Sequence, residues 1–354
     1  MMGSLVMKLL NFVKALQGYQ ARACLLLVVV LTGTTAVAGE LTIYSSAEGD
    51  NLKNFASRFS KAHPEIKVTW VRDSAGSIQA RAIAEKDSPR NDLFFGHTVT
   101  NLMALDAMNL LQPYRPVGVE KLNDKFRDQR DPPTWTGLWG FGTAICFNTV
   151  EAQKKNLPRP EKWSDLTDPV YKGQITMPNP SSSGTGFLNV SGWLQLMDKD
   201  KAWLFMDALH QNIASYSYSG SRPCEQAAAG DYVIGISLPL RGASLKSVGA
   251  PIDIIIPAEG IGWELQGVAI TQTTKNLKDA QTFVDWAVTE AAMNAYAARA
   301  EVVAYPVKTP KAKNLPPELT SRLIKNDFAW ASANQADIIK EWRARYDSKT
   351  EVKK

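Results

Sequence analysis

From Glu40 onward, short β-prone runs alternate with stretches whose apolar residues recur at helical spacing, and this alternation constrains the fold more than any other feature. Leu41 to Tyr44 is β-prone, Leu52, Phe55 and Phe59 make a helical stripe, and Ile66, Val68 and Trp70 alternate as a strand does. Ile78, Ala82 and Ile83 mark a second helix, Leu93 to Phe95 a third strand, and Leu102, Met103 and Leu105 a third helix. Repeated strand and helix units argue for an α/β fold with helices on the faces of a sheet. In such sheets ligands gather beyond the carboxyl ends of the strands. The loops there are Ser45 to Gly49, Asp73 to Ser77 and Gly96 to Thr98, all small, polar and hydroxyl-bearing.

The chain in front of this region has a different character. Residues 1 to 39 hold no acidic residue, carry Lys8, Lys14 and Arg22, run apolar from Cys24 to Leu31, and reach Ala36-Val37-Ala38. This pattern predicts a cleaved secretory leader over 1–38, since the apolar run is shorter than the roughly 20 residues a membrane span needs. Without the leader, 37 Lys and Arg face 35 Asp and Glu, a balance that asks for neither nucleic acid nor an anionic membrane. The 316 residues that remain exceed what one core usually fills, so two domains are expected. Residues 112 to 137, rich in Pro and charge, read as a surface connection ahead of the second unit.

Asn179 to Phe187 reads N-P-S-S-S-G-T-G-F and stands between a β-prone run, Gln174 to Met177, and a helical stripe of Phe187, Val190, Leu194 and Met197. Hydroxyls and glycines at a helix N-terminus, where backbone N–H groups lack partners and the macrodipole is positive, make a cradle for a small oxyanion. Taken alone, the same loop also serves as an ordinary Ser/Thr cap. Ser215 to Ser221 repeats the pattern ahead of the small-residue helix Cys224 to Ala229. Cys146 and Cys224 remain after the leader, and export favours a disulfide between them. There is no Cys/His cluster for a metal and no motif for a cofactor. With only His63, His97 and His210 in the chain, Ser183 finds no base for a hydrolase triad, so no enzyme is expected.

The opening strand L-T-I-Y-S-S, the A-I-C-F-N-T strand, W-S-D-L-T-D-P-V-Y-K-G-Q-I and the terminal E-W-R-A-R-Y resemble extracytoplasmic solute-binding proteins of ABC importers, in the branch related to ferric-ion binders. V-R-D-S, M-P-N-P-S-S-S-G-T-G-F and G-S-R-P-C are similar to the 2-aminoethylphosphonate-binding proteins. The resemblance covers essentially all of the chain after the leader. It implies a periplasmic, monomeric, two-lobed binding-protein fold of type II, with two mixed sheets flanked by helices and a hinge between lobes. Lobe one would comprise 39–141 and 263–354, lobe two 142–262, with crossings near 141–147 and 257–267. The partners it implies are a small-molecule ligand and the importer's membrane subunits.

For a 2-aminoethylphosphonate zwitterion, the oxygens call for donors and the ammonium for a carboxylate. Ser182, Ser183, Gly184 and Thr185 are the expected oxygen ligands, with Ser46, Ser74, Gly76 and Thr98 from the lobe-one loops facing them. Glu48, at the place where ferric-binding relatives carry a cleft-facing ligand, is the first expectation for the ammonium. Glu264 beside Trp263 is the second, and Tyr218 is a further candidate to line the site. The alternative is a ferric-ion binder. The branch uses neighbouring tyrosines as anionic ligands, whereas here Ser217 separates Tyr216 from Tyr218.

Overall fold

The computed structural model describes residues 39–308 and 312–352, so the expected leader lies outside the described residues. The chain opens with three strand and helix units: β1 (Gly39–Ser45), α1 (Gly49–Ala62), β2 (Ile66–Arg72), α2 (Ala75–Ala84), β3 (Leu93–Thr98) and α3 (Val99–Ala107). β1 lies parallel between β2 and β3, and every residue of β3 is buried, as a strand covered on both faces requires. β4 (Leu111–Gln112) and β5 (Thr136–Gly142) follow. The chain then leaves for a second sheet through β6 (Ala144–Asn148), α4 (Thr149–Lys154), β7 (Ile175–Pro178), α5 (Gly184–Leu196), α6 (Lys199–Asn212) and β8 (Ile213–Ser217). α7 (Arg222–Ala229), β9 (Ile234–Ser237), α8 (Pro239–Ser247) and β10 (Ile252–Ile255) complete that unit. The return brings β11 (Trp263–Thr271), α9 (Leu277–Ala287), α10 (Glu290–Ala297), β12 (Val302–Val303), α11 (Phe328–Ala333) and α12 (Gln335–Tyr346).

Among the described residues, seven strands form the first sheet in the order β12-β5-β11-β3-β1-β2, with β4 beside β11. Five form the second, in the order β10-β6-β9-β7-β8. Both are mixed: β11 runs antiparallel to β3 and β5, and β6 antiparallel to β9 and β10. Each sheet has its own core, so each sheet with its helices makes one lobe. In the first, the buried stripe Leu52, Phe55 and Phe59 of α1 meets Tyr296 edge-on at 4.9 Å from Phe55 and Phe283 at 4.6 Å from Phe59. Each such buried ring contributes about 1.5–3 kcal/mol. In the second, Trp163 packs edge-on to Trp193 of α5 at 5.3 Å, which fixes the helix that carries the hydroxyl loop. Cys146 of β6 and Cys224 of α7 are disulfide-bonded, with Cα atoms 5.3 Å apart, and tie helix to sheet inside the second lobe.

The chain passes between sheets at Gly142–Ala144 and between Ile255 and Trp263. A third passage departs from the expectation that everything after residue 263 belongs with the first lobe. α11 packs on α3, yet α12 buries Ile338, Trp342 and Tyr346 in the second core, where Trp342 meets Tyr216 edge-on at 4.8 Å. Gln335, at the start of α12, donates to Asn101 at 2.7 Å and accepts from Gln79 at 2.9 Å, both in the first lobe. The stripe of Ile338 and Trp342 announces a buried face but not the sheet that buries it.

Candidate ligand-binding cleft

Four helices begin at the edge where the two sheets face each other, and their first turns carry the polar residues of the cleft. α2 starts after Ser74, α3 after Thr98, α5 after Ser183 and α1 after Glu48. Converging N-termini direct the positive ends of their helix dipoles toward this edge. Two adjoining cavities lie there. The smaller, of about 30 Å³, is lined by Ser46, Glu48, Arg72, Ser74, Ala75, Thr98, Phe141, Ser183, Gly184, Thr185, Ser219, Gly220 and Gln266. The larger, of about 260 Å³, shares Ser46, Glu48, Phe141, Thr185 and Gln266 with it and adds Asp50, Asn51, Trp139, Arg241, Arg299 and Glu301 among others.

The small chamber is walled largely by hydroxyls. Ser183 accepts from the Gly186 N–H at 3.3 Å and caps α5, and Ser219 pairs with Ser221 at 3.1 Å. Ser46 donates to the Gly96 carbonyl at 3.0 Å and lies 3.1 Å from His97 Nδ1. Burial drives the His97 pKa down to about 3, so its imidazole is neutral. Thr98 Oγ1 and Gln266 Oε1, both buried, have no protein partner. A buried polar atom without a partner is costly, which makes these two atoms candidate ligand contacts. Sheet register places them side by side, since Gln266 of β11 pairs with Thr98 of β3 and, on its other edge, with Trp139 of β5.

Charge is divided across the two cavities. Glu48 lines both, is half-buried, and lies 3.7 Å from Arg72 Nη2. Burial raises its carboxyl above the usual carboxylate range, while Arg72, Arg241 and the Ser221 hydroxyl pull it back. In the larger cavity Arg299 donates to Asn51 at 3.0 Å, and Arg241 pairs with Glu225 at 2.7 Å. Glu301 accepts from the Gly142 N–H at 2.5 Å, and its other oxygen, Oε1, is buried without a partner. Desolvation pushes its carboxyl up to about 8.

Of the expected residues, Ser46, Glu48, Ser74, Thr98, Ser183, Gly184 and Thr185 line the small chamber. Five line neither cavity. The Gly76 N–H is taken by the Ser182 carbonyl at 2.9 Å, and the Ser182 hydroxyl donates to the Tyr218 carbonyl at 3.1 Å. Tyr218 is half-buried outside the chamber. Trp263 donates its indole N–H to Ile324 at 3.0 Å and packs edge-on to Phe328, a structural role. Glu264 is buried under Thr100, which donates to it at 2.5 Å, while the Leu265 N–H donates at 2.7 Å. Its carboxyl is pushed up to about 7 by desolvation. The residues that sequence reasoning missed are Arg72, Phe141, Gln266, Arg241, Arg299 and Glu301. Arg72 alone carried a local signal, being two residues before Ser74 at the same strand end.

A family model described as bacterial extracellular solute-binding protein matches residues 88–331. The chain belongs to that family. As an extracellular solute-binding protein it captures its ligand and is not an enzyme. An uncharacterized protein of Haemophilus influenzae is 30% identical over 267 residues, covering 73% of this chain and 76% of that one. A probable ABC transporter periplasmic-binding protein of Sinorhizobium fredii is 27% identical over 284 residues, 77% of this chain and 76% of the other. Among solved structures, the periplasmic binding protein AfuA of Actinobacillus pleuropneumoniae, with exogenous fructose-6-phosphate bound, superposes with a TM-score of 0.81 at 30% identity. It covers 87% of this solute-binding protein and 99% of its own chain, and the two-lobed architecture is shared. No helix among the described residues is long and apolar enough to cross a membrane.

Proposed function

We propose that this protein is the periplasmic component of an ABC importer and that it captures a small organophosphorus solute, 2-aminoethylphosphonate, between its lobes. The observation that carries the reading is the small chamber: hydroxyls at three helix N-termini, Arg72, and the partnerless Thr98 Oγ1. A tetrahedral phosphonate presents three acceptor oxygens to such donors, and charge-assisted bonds of this kind contribute about 1.5–3 kcal/mol each. Glu48, on the border of the two cavities, supports an amine two carbons from the phosphorus. In this reading, 39–141 and 263–308 form lobe one, 142–262 with α12 forms lobe two, α11 packs on α3 while its Ala331 joins the second core, and the passages between lobes are the hinge.

A phosphorylated sugar is the second reading, favoured by the 260 Å³ cavity and its aromatic and charged walls, Trp139, Phe141, Asp50 and Arg299. The fructose-6-phosphate in AfuA supports it. The ferric alternative has less support: Tyr216 is buried with its hydroxyl 2.8 Å from His210 Nδ1, and Tyr218 lines neither cavity. Titration calorimetry with 2-aminoethylphosphonate, ethylphosphonate, fructose 6-phosphate and ferric citrate tests all three. Tightest binding of the aminophosphonate is the expected result, and tightest binding of the sugar phosphate moves the assignment to the second reading. Ferric binding with no response to any phosphorus compound overturns both.

A further inference from the structure

Gly76 is the second residue of α2 in the first lobe, and its N–H meets the Ser182 carbonyl of the second lobe at 2.9 Å. A Cβ added there would stand 2.9 Å from the carbonyl carbons of both Ser181 and Ser182, and closer still to the Ser181 oxygen. These are backbone atoms, which cannot rotate away as a side chain can. Gly184, the first residue of α5, makes the reciprocal approach: its Cβ would lie 2.9 Å from Thr98 Cγ2 and 3.0 Å from Ala75 Cβ. Neither glycine has a left-handed backbone, so neither helix needs glycine for its own conformation. Alanine is the better helix former at such positions. The requirement comes entirely from the opposite lobe.

The two contacts flank the small chamber, whose walls are Ser74, Ala75 and Thr98 on one side and Ser183, Gly184 and Thr185 on the other. We infer that Gly76 and Gly184 are positioning residues for closure: by letting the lobes meet backbone to backbone, they allow the chamber to close around a tetrahedral oxyanion. The inference rests on reading this chamber as the phosphonate or phosphate site. Gly76 is not a ligand donor but the gauge of closure. Gly184 meets methyl groups able to shift, so its substitution is the milder of the two.

The test separates folding from closure. Gly76→Ala leaves thermal unfolding of the ligand-free protein unchanged or raised, because the open cleft has room for the methyl group. Its affinities for 2-aminoethylphosphonate and for fructose 6-phosphate both fall, by about 10- to 100-fold, through the lost closed population. Gly184→Ala shows the same direction at about threefold. Spin labels on the exposed positions of Lys86→Cys and Lys199→Cys report the lobe separation directly. The parent protein shows a short-distance population, with or without ligand, and Gly76→Ala lacks it. Retention of that population in Gly76→Ala, or its absence from the parent, overturns the inference. A parent that closes but binds no phosphorus compound overturns the proposed function and leaves the gauge to the distances.

Discussion

The carboxylate of Glu48 and the guanidinium of Arg72 lie 3.7 Å apart on the wall that the two cavities share. The pair sets an anion-binding group beside a cation-binding one, an arrangement that suits a short zwitterion. Arg72 is also held by the Ala47 carbonyl at 3.1 Å, so it stays in place when Glu48 changes. Glu48→Gln is therefore expected to weaken 2-aminoethylphosphonate by about 1.5–3 kcal/mol, the value of a hydrogen bond to a charged group. Ethylphosphonate, which has no amine, should lose little and gain slightly from the unpaired Arg72. Calorimetry on the two ligands decides the matter: equal losses would mean that the amine is read elsewhere in the larger cavity, with Asp50 and Glu301 next to test.

Thr98→Val examines the oxyanion chamber without disturbing the fold. Thr98 Oγ1 makes no protein hydrogen bond, and valine has nearly the same shape, so ligand-free stability should not fall and should rise by up to about 1–3 kcal/mol as the unsatisfied hydroxyl is removed. Binding of every phosphorus ligand should fall by about fivefold to tenfold, since each presents the same oxygens to that hydroxyl. A large loss of stability with unchanged affinity would show that Thr98 is a cap for α3 and no more.

Two buried carboxyls are expected to contribute a part of the stability that falls as pH rises. Glu301 is pushed up to about 8 and Glu264 to about 7 from an ordinary 4.5, both by desolvation. Above the unfolded value the unfolded chain releases these protons while the native protein keeps them, so stability falls as pH rises from about 4.5 toward 8. Urea unfolding at pH 5, 6, 7 and 8 should show this decline over and above the other titrations, and Glu301→Gln should flatten its upper part between 7 and 8. An unchanged slope in that variant would show that Glu301 is ionised throughout.

Much of the architecture was legible because hydrophobic period reports local structure directly. The stripes Leu52-Phe55-Phe59 and Phe187-Val190-Leu194 became α1 and α5, and Ile66-Val68-Trp70 became β2. The half of the candidate chamber built on helix N-termini was legible for the same reason, since Ser74, Thr98 and Ser183 are marked by residue type and position before a helix. The other half is set by sheet register. Gln266 reaches the chamber only because β11 lies between β3 and β5, and the alternation of β5 brings Phe141 to both cavities and Trp139 to the larger one. Trp263 and Glu264 misled because an aromatic and an acid beside a crossing look like ligand groups. On β11 one is covered by Phe328 and the other by Thr100. Glu301 follows α10 in a segment with no local motif.

Thr350 and Glu351, after α12, are tied to the hydroxyl loop and the strand beside it. Asn179 Oδ1 accepts the Ser181 N–H at 2.7 Å, its backbone carbonyl accepts the Ser183 N–H at 2.9 Å, and its side-chain N–H donates to Thr350 Oγ1 at 2.9 Å. Thr350 in turn lies beside Tyr216 in a parallel bridge, and the Glu351 N–H donates to the Tyr216 carbonyl at 2.9 Å. The tail after α12 thus clamps the loop from outside the cleft without lining either cavity. Asn179→Ala breaks the loop and tail contacts together and is expected to cost about 1–3 kcal/mol in stability, because Asn179 is buried. It should also weaken phosphonate binding by about tenfold through a loosened Ser183 cap. Thr350→Val breaks only the tail contact, so it should lower stability by about 1 kcal/mol and leave affinity within about twofold. Hydrogen exchange at Ser181 to Thr185 provides the check: faster exchange in Asn179→Ala but not in Thr350→Val places the positioning role on Asn179 itself. Equal acceleration in both would instead make the C-terminal tail the element that holds the ligand loop in shape.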